Sequence, residues 1–225
     1  MRVVCQRVTE ARVRVGGELR GEIGPGLVAF VGIARGDDSA IVRRLAAKVA
    51  RLRIFEGNDG RFDSPVAAGG GGRSAIVATA MRVICQRVTE ARVRVGDDVV
   101  GEIGTGLVAL VGIARADDAA IVRRMAAKVA RLRIFEGDDG RFDRSVLESG
   151  GSVLSVSQFT LIADTSKGNR PSFTAAAPPE EAEPRWEEFS AELEAEGVSV
   201  ARGVFGARMD VELVNAGPVT IVLDS

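Results

Sequence analysis

The stretch SVSQFTLIADTSKGNRPSF, residues 155 to 173, sets Ser157, Gln158 and Thr160 behind an apolar strand and follows them with a loop carrying Lys167 and Arg170. Hydroxyls, a carboxamide and closely spaced backbone amides suit hydrolysis of an acyl group, where a water or hydroxyl attacks a carbonyl and nearby donors hold the developing oxyanion. The chain contains no histidine, the side chain most often used to take a proton from an attacking hydroxyl near neutral pH. Chemistry at this stretch therefore needs an unusual base or none.

Composition narrows the partners. With a formal net charge of −1, 46% hydrophobic and 27% charged residues, the chain reads as an ordinary globular protein without the basic surface that grips a long nucleic-acid backbone. Any nucleic acid is touched over a small area. Cys5 and Cys85 occupy the same local sequence and read as two strand thiols rather than a disulfide framework. No long apolar run spans a membrane and MRVVCQRVTE lacks a signal-peptide core, so the expected compartment is the cytoplasm. GDDG at 137 to 140 resembles part of a calcium loop, but the spaced ligands and distal glutamate are missing, so it reads as a tight turn. Neither metal nor cofactor is expected.

The elements that must position the hydroxyls come with a repeat. Residues 1–63 and 81–143 align without a gap at an offset of 80, with 52 of 63 positions identical. After RFD they part: the first copy runs into SPVAAGGGGRSAIVATA and has Val77, Ala78, Thr79 and Ala80 where the second has Ser157 to Thr160. The expected organisation is a partial, non-catalytic duplicate over 1–63, a Gly/Ala-rich connector over 64–80, and a complete domain over 81–225.

Within 81–225, MRVICQRVTEARVRV alternates with a slip, giving two strands or one bulged strand, and LVALVGIA reads as a buried strand. Asp117 is placed to cap a helix over 118–132 whose Ile121, Met125 and Val129 face the core, leaving Arg123, Arg124, Lys128 and Arg131 to a solvated face. SVLSVSQFTLIA supplies one or two strands, and a second helix runs from Pro178 and Pro179 to Gly197 with Trp186, Phe189 and Leu193 aligned. The tail adds at least two strands. The expected fold class is α+β, a mostly antiparallel, barrel-like sheet with two main helices, preceded by the partial duplicate.

Five stretches, MRVICQRV at 81–88, SQFTL at 157–161, KGNRPSF at 167–173, GVFGARM at 203–209 and NAGPVT at 215–220, together resemble the D-aminoacyl-tRNA deacylase family. The resemblance covers all of 81–225. It implies a homodimer, with its site at the subunit interface, that cleaves the ester joining a D-amino acid or glycine to the 3′-terminal adenosine of tRNA. Carried over, Ser157, Gln158, Phe159 and Thr160 shape the catalytic pocket. Gly217 and Pro218 form a cis dipeptide that reaches into the partner's pocket, and Gln86 and Arg87 support it. Phe205 and Met209 flank the adenine, while Lys167, Arg170 and Pro171 meet the tRNA end.

Such an ester is already activated, so placement, an oxyanion hole at the Phe159 and Thr160 amides, and the adjacent ribose 2′-hydroxyl together remove the need for histidine. The competing expectation makes Thr160 or Ser157 a covalent nucleophile, for which the sequence offers only Asp164 and Lys167 as helpers. A different class altogether is a catalytically inactive nucleic-acid-binding or interaction protein on the same fold.

Overall fold

The computed structural model describes residues 1–56, 62–65, 80–166 and 168–225. The connector expected over 64–80 lies, apart from its ends, outside the described residues. The chain divides into two compact units, Met1–Val77 with Asp164–Ser172, and Ala78–Ala163 with Phe173–Ser225.

The first unit contains β1 (Arg2–Val8), β2 (Ala11–Val15), β3 (Glu18–Ile23), β4 (Gly26–Gly32), α1 (Ser39–Ala50), β5 (Arg53–Glu56) and β6 (Phe62–Pro65). Its strands join only in antiparallel pairs among the described residues: β1 with β4, β2 with β3, and β5 with β6. In this unit Lys48 Nζ donates to the Thr165 carbonyl at 2.7 Å, and the Arg53 amide donates to that of Asn169 at 2.9 Å.

The second unit is built on β7 (Arg82–Val95), β8 (Asp98–Ile103), β9 (Gly106–Gly112), α2 (Ala119–Ala130), β10 (Phe135–Glu136), β11 (Phe142–Arg144), β12 (Ser152–Ser157), α3 (Pro179–Ala195), β13 (Ser199–Arg202) and β14 (Asp210–Asp224). Six strands form one sheet in the order β13-β12-β9-β7-β14, with β8 also on β7. The slip in alternation after Val88 does not break β7. It marks the point where β7 changes partner, from β9 over Arg82–Val88 to β8 over Ala91–Val95. β12 runs parallel to both β9 and β13, a departure from the antiparallel rule expected for the sheet. The sheet curls until Gly101 of β8 lies against Arg202 of β13, where a side chain would meet the Arg202 carbonyl oxygen at 2.6 Å. This is the barrel-like α+β fold expected.

Helices α2 and α3 cover one face of the sheet. Val122, Met125 and Val129 from α2, Trp186, Phe189 and Leu193 from α3, and Leu107, Val111 and Val153 from the sheet share one apolar core. Each large side chain fully removed from water there contributes about 1.5–3 kcal/mol. The α2 cap differs from expectation by one residue. Asp118 accepts the Ile121 amide at 2.8 Å, while Asp117 turns inward to accept the amides of Met81 and Ala114. Arg123 and Arg131 lie exposed on the solvated face and pair with Glu192 of α3 and with Glu196, the residue that ends it.

Candidate active site

Ser155 anchors the end of β12. Its side chain points into the core, where Trp186 Nε1 donates to Oγ at 2.9 Å and the Ser190 hydroxyl lies 2.9 Å away. All three polar groups are buried and satisfied, so α3 is locked to the strand that leads into the site. Helical spacing marked the aromatic face of α3 but gave no sign of this hydroxyl bridge.

Beyond Ser157 the backbone leaves the sheet. The Gln158 amide still donates to the Val111 carbonyl at 2.7 Å, and then Phe159–Ile162 tighten into a 3₁₀ turn, so of the one or two strands expected here the stretch forms one. The turn's first internal bond is Leu161 N–H to the Gln158 carbonyl at 3.1 Å. The amides of Phe159 and Thr160 therefore have no acceptor within the turn, as at the start of any helix. Gln158 Nε2 donates to Thr160 Oγ1 at 2.6 Å, which orients that hydroxyl and leaves its own hydrogen available to a further acceptor. The Phe159 ring is half-exposed and stacks edge-on against Phe173, with centroids 5.0 Å apart. Gly112 makes this turn possible: a side chain there would meet Leu161 Cβ at 2.9 Å.

β13 brings Phe205 and Met209 alongside. Ser155 and Arg202 are paired, and two residues on from each come Ser157 and Val204. The Gly203 amide donates to the Ser155 carbonyl at 2.9 Å, and the Met209 sulfur accepts from the Val204 amide at 3.3 Å. Phe205 leans on Trp186 at 6.1 Å beside an open cavity of about 550 Å³ bordered by Trp186, Arg202, Gly203 and Val204.

The second constellation sits on β14. Gly217–Pro218 is a cis peptide, and both residues are exposed. Gly217 has φ +126°, and a side chain there would run into Val219 Cγ2 at 2.8 Å, so only glycine fits. The loop departs from the register between Asn215 and Thr220. It is tied internally by Val219 N–H to Asn215 Oδ1 at 2.9 Å and Asn215 Nδ2 to Thr220 Oγ1 at 3.0 Å. Beneath it, buried Gln86 donates to Thr220 Oγ1 at 3.3 Å. Arg87 reaches three ways, to the carbonyls of Ala216 at 3.2 Å and Ile134 at 2.9 Å, and to Glu136 at 3.2 Å, with Phe142 stacked on its guanidinium.

Register separates the two constellations within one chain. Ser157 pairs with Val111, Val111 with Val83, and Val83 with Leu223. Pro218 stands five residues back from Leu223, roughly 17 Å of extended strand, and three strands away from β12. Of the remaining residues expected near the tRNA end, exposed Arg170 and half-buried Pro171 fall in Asp164–Ser172, grouped with the first unit, and Lys167 lies outside the described residues. Cys85 is fully buried and its thiol is pushed up to about 12, which removes it from any nucleophilic role. No group of three or more candidate metal ligands occurs among the described residues, and no helix among them is long and apolar enough to cross a membrane.

Residues 4–76 and 84–224 match the family model described as D-Tyr-tRNA(Tyr) deacylase. The chain is similar to the D-aminoacyl-tRNA deacylase of Deinococcus radiodurans, at 56% identity over 144 residues, 64% of this chain and 99% of that protein. That of Roseiflexus sp. is 57% identical over 145 residues, 64% of this chain and 94% of the relative. Among solved structures, the c-Myc DNA Unwinding Element Binding Protein superposes with TM-score 0.61 at 38% identity, over 64% of this chain and 98% of the other. A probable eukaryotic D-amino acid tRNA deacylase shares the fold, with TM-score 0.57 at 18% identity over 65% of this chain and all of the other.

Proposed function

The chain belongs to the D-Tyr-tRNA(Tyr) deacylase family, and from that premise we propose that it is a hydrolase cleaving the ester between a D-amino acid and the terminal adenosine of tRNA. Relatives more than half identical carry the name of that activity. The observation that carries the mechanism is the 3₁₀ turn after β12, whose opening amides, those of Phe159 and Thr160, have no acceptor in the turn.

Those amides are aimed to hold the oxyanion as the ester carbonyl becomes tetrahedral. One such donor is typically worth a factor of about 10²–10³ in rate. Thr160 is a poor covalent nucleophile here, because the group bonded to its oxygen is the Gln158 amide, which donates hydrogen and cannot accept a proton. The hydroxyl instead orients water or substrate. Orientation of the attacking water is assigned to the ribose 2′-hydroxyl next to the ester, whose oxygen takes a hydrogen from the water as its own hydrogen passes to the departing 3′-oxygen, a relay that accounts for a hydrolase with no histidine. Half-buried Phe205 and Met209 flank the adenine beside the end of β12, and Lys167 and Arg170 meet the terminal phosphates, with Pro171 in the same tRNA-binding loop.

Chirality is read by Gly217 and Pro218. The register keeps this dipeptide away from its own chain's 3₁₀ turn, which supports a homodimer in which each subunit lends its exposed, Arg87-clamped dipeptide to the other's pocket. Backbone atoms held this close to the α-carbon leave no room for an L side chain, whereas glycine passes. The enzyme works in the cytoplasm, where charged tRNA is recycled.

The test is deacylation of matched D-, L- and glycyl-tRNA, with a D-substrate ending in 2′-deoxyadenosine. Hydrolysis of the D- and glycyl-esters, sparing of the L-ester and loss of most activity on the deoxy substrate are expected, with Thr160→Val impaired less than the deoxy substrate. Near-normal cleavage of the deoxy ester overturns the role of the ribose. A second reading, binding of duplex DNA without hydrolysis, draws on the name of one similar structure, a DNA unwinding element binding protein, and is favoured only if all three esters survive.

A further inference from the structure

Residues 1–56 present an apolar surface that no other described residues cover. Val13, Val31 and Ile33 are 59%, 52% and 73% exposed, while their counterparts Val93, Val111 and Ile113 are 0%, 0% and 4% exposed. In the second unit the cover is the chain's own C-terminal half, with β12 paired to β9, β14 paired to β7, and α3 sharing a core with α2.

The first copy keeps nearly everything that this half requires. Of eleven differences between the copies, three fall at positions buried in the second: Ile84, Leu110 and Met125 are Val4, Phe30 and Leu45 in the first. All three remain apolar. Ile84 and Leu110 are cross-strand partners, as are Val4 and Phe30, so the methylene lost on one strand faces the bulk gained on the other, a volume-conserving swap. Thr105 serves β12 through its carbonyl, which accepts the Ser152 amide at 3.2 Å, and Pro25 at the matching position retains a carbonyl. Gln6 and Arg7 stand where Gln86 and Arg87 support the dipeptide loop.

We propose that residues 1–63 are a second, interchangeable holder for residues 144–225 of the same chain: the C-terminal half can leave 81–143 and dock on the first copy, rebuilding the same site. The occupant is the chain's own half because tethering holds it at an effective concentration on the order of millimolar, far above a second chain at micromolar. The direct junction at 143–144 keeps the half on 81–143 at rest. Docking on the first copy instead closes a loop of about 80 residues, which disfavours it by a factor of about 10³.

The experiment uses four forms of the full chain: parent, Val93→Asp/Gly106→Ala, the mirror pair Val13→Asp/Gly26→Ala, and all four substitutions together. Val93 is buried and Gly106 has no room for a side chain, whereas Val13 is exposed and Gly26 has nothing nearer than 3.6 Å. The readouts are thiol alkylation of Cys5 and Cys85, cooperative unfolding followed by Trp186, and deacylation. The mirror pair should match the parent. The Val93/Gly106 pair should keep cooperative unfolding and more than about a tenth of the activity, with Cys5 now protected and Cys85 exposed, independent of protein concentration; the quadruple variant should lose all of it. The proposal is overturned if the Val93/Gly106 pair is as unfolded as the quadruple, if its thiol pattern equals the parent's, or if the reversal appears only in a species of twice the parent's own mass. Deacylation rests on the proposed function but the thiols do not, so reversed protection in a chain whose parent is inactive supports exchange and removes only the enzymatic reading.

Discussion

Residues 1–63 and 81–143 carry almost one sequence into two environments. Both build the strand pairs, with Cys5 opposite Ala29 in one and Cys85 opposite Ala109 in the other. Both helices are twelve residues long and are capped by an aspartate accepting an isoleucine amide at 2.8 Å. Where the copies differ, a distant partner is the cause. β14 pairs with both halves of β7, from Arg82 to Arg94, and the second copy has one fourteen-residue strand there. Among the described residues of 1–63 the first copy has no equivalent of β14, and the same residues form β1 and β2 as separate strands. Capping, alternation and the turn glycine at Gly16 and Gly96 act within a few residues and are repeated with the sequence, while burial is conferred by residues 144–225 and is not.

The largest effect that sharpens this contrast comes from Ile113→Ala set beside Ile33→Ala. Ile113 is buried in the core shared with both helices, so truncation should cost the second unit about 2–5 kcal/mol. Ile33 is exposed, and its truncation should stay within about 0.5 kcal/mol. Denaturant unfolding followed by Trp186, the one tryptophan of the chain and a core residue of the second unit, reads both. Equal losses from the two substitutions would show that burial does not distinguish the copies.

Next comes a pair of glycines. Gly106 opens β9 where β12 crosses so closely that a side chain would fall 1.9 Å from the Ser152 carbonyl oxygen; at Gly26 the nearest atom is 3.6 Å away. Gly106→Ala should push the parallel β9–β12 pair apart and cost about 3 kcal/mol, the upper end for an overpacked site. Gly26→Ala should leave stability unchanged or slightly raised, since alanine reduces the freedom of the unfolded chain. Because β12 carries the turn at Phe159, Gly106→Ala should also lower deacylation, which Gly26→Ala should spare.

These pairs also show where sequence reasoning reaches its limit. The helix faces, the buried strand after Gly106 and the turn at 137–140 follow from spacing, and the structure contains them. The parallel placement of β12 does not follow, because an apolar run such as SVLSV reads the same beside either kind of neighbour. The candidate site divides in the same way. The residues of the 3₁₀ turn and of the Gly217–Pro218 loop stand out by type and by family resemblance. The three-way reach of Arg87 and the bridge from Trp186 to Ser155 join residues 31 to 129 positions apart, and no local pattern encodes such pairings. The shift of the helix cap from Asp117 to Asp118 has a similar origin: Asp117 is drawn inward by the amides of Met81 and Ala114.

That inward aspartate gives the smallest and most selective effect. In the first copy Asp37 holds the Met1 ammonium at 2.6 Å and the Ala34 amide at 2.6 Å, bonds that draw its carboxyl below the usual range. In the second copy the chain continues through Ala80, so Asp117 faces a neutral amide instead, and burial pushes its carboxyl up despite two backbone donors. A carboxyl raised on folding stabilises the native state fully below its unfolded pKa, and that contribution is lost as pH rises through the folded value. Glu148, Glu194 and Glu212, held low chiefly by hydrogen bonds from Ser145, Arg202 and Arg94, act in the opposite sense, since their contributions are lost as pH falls. The effect must therefore be read as a difference. Asp117→Asn keeps one acceptor oxygen for two amides and should be less stable than the parent throughout, but the gap measured by Trp186 unfolding should narrow as pH rises from about 4 toward 7. A gap that widens over the same range would mean that Asp117, like Asp37, is held charged, and the two copies would then differ in cover alone.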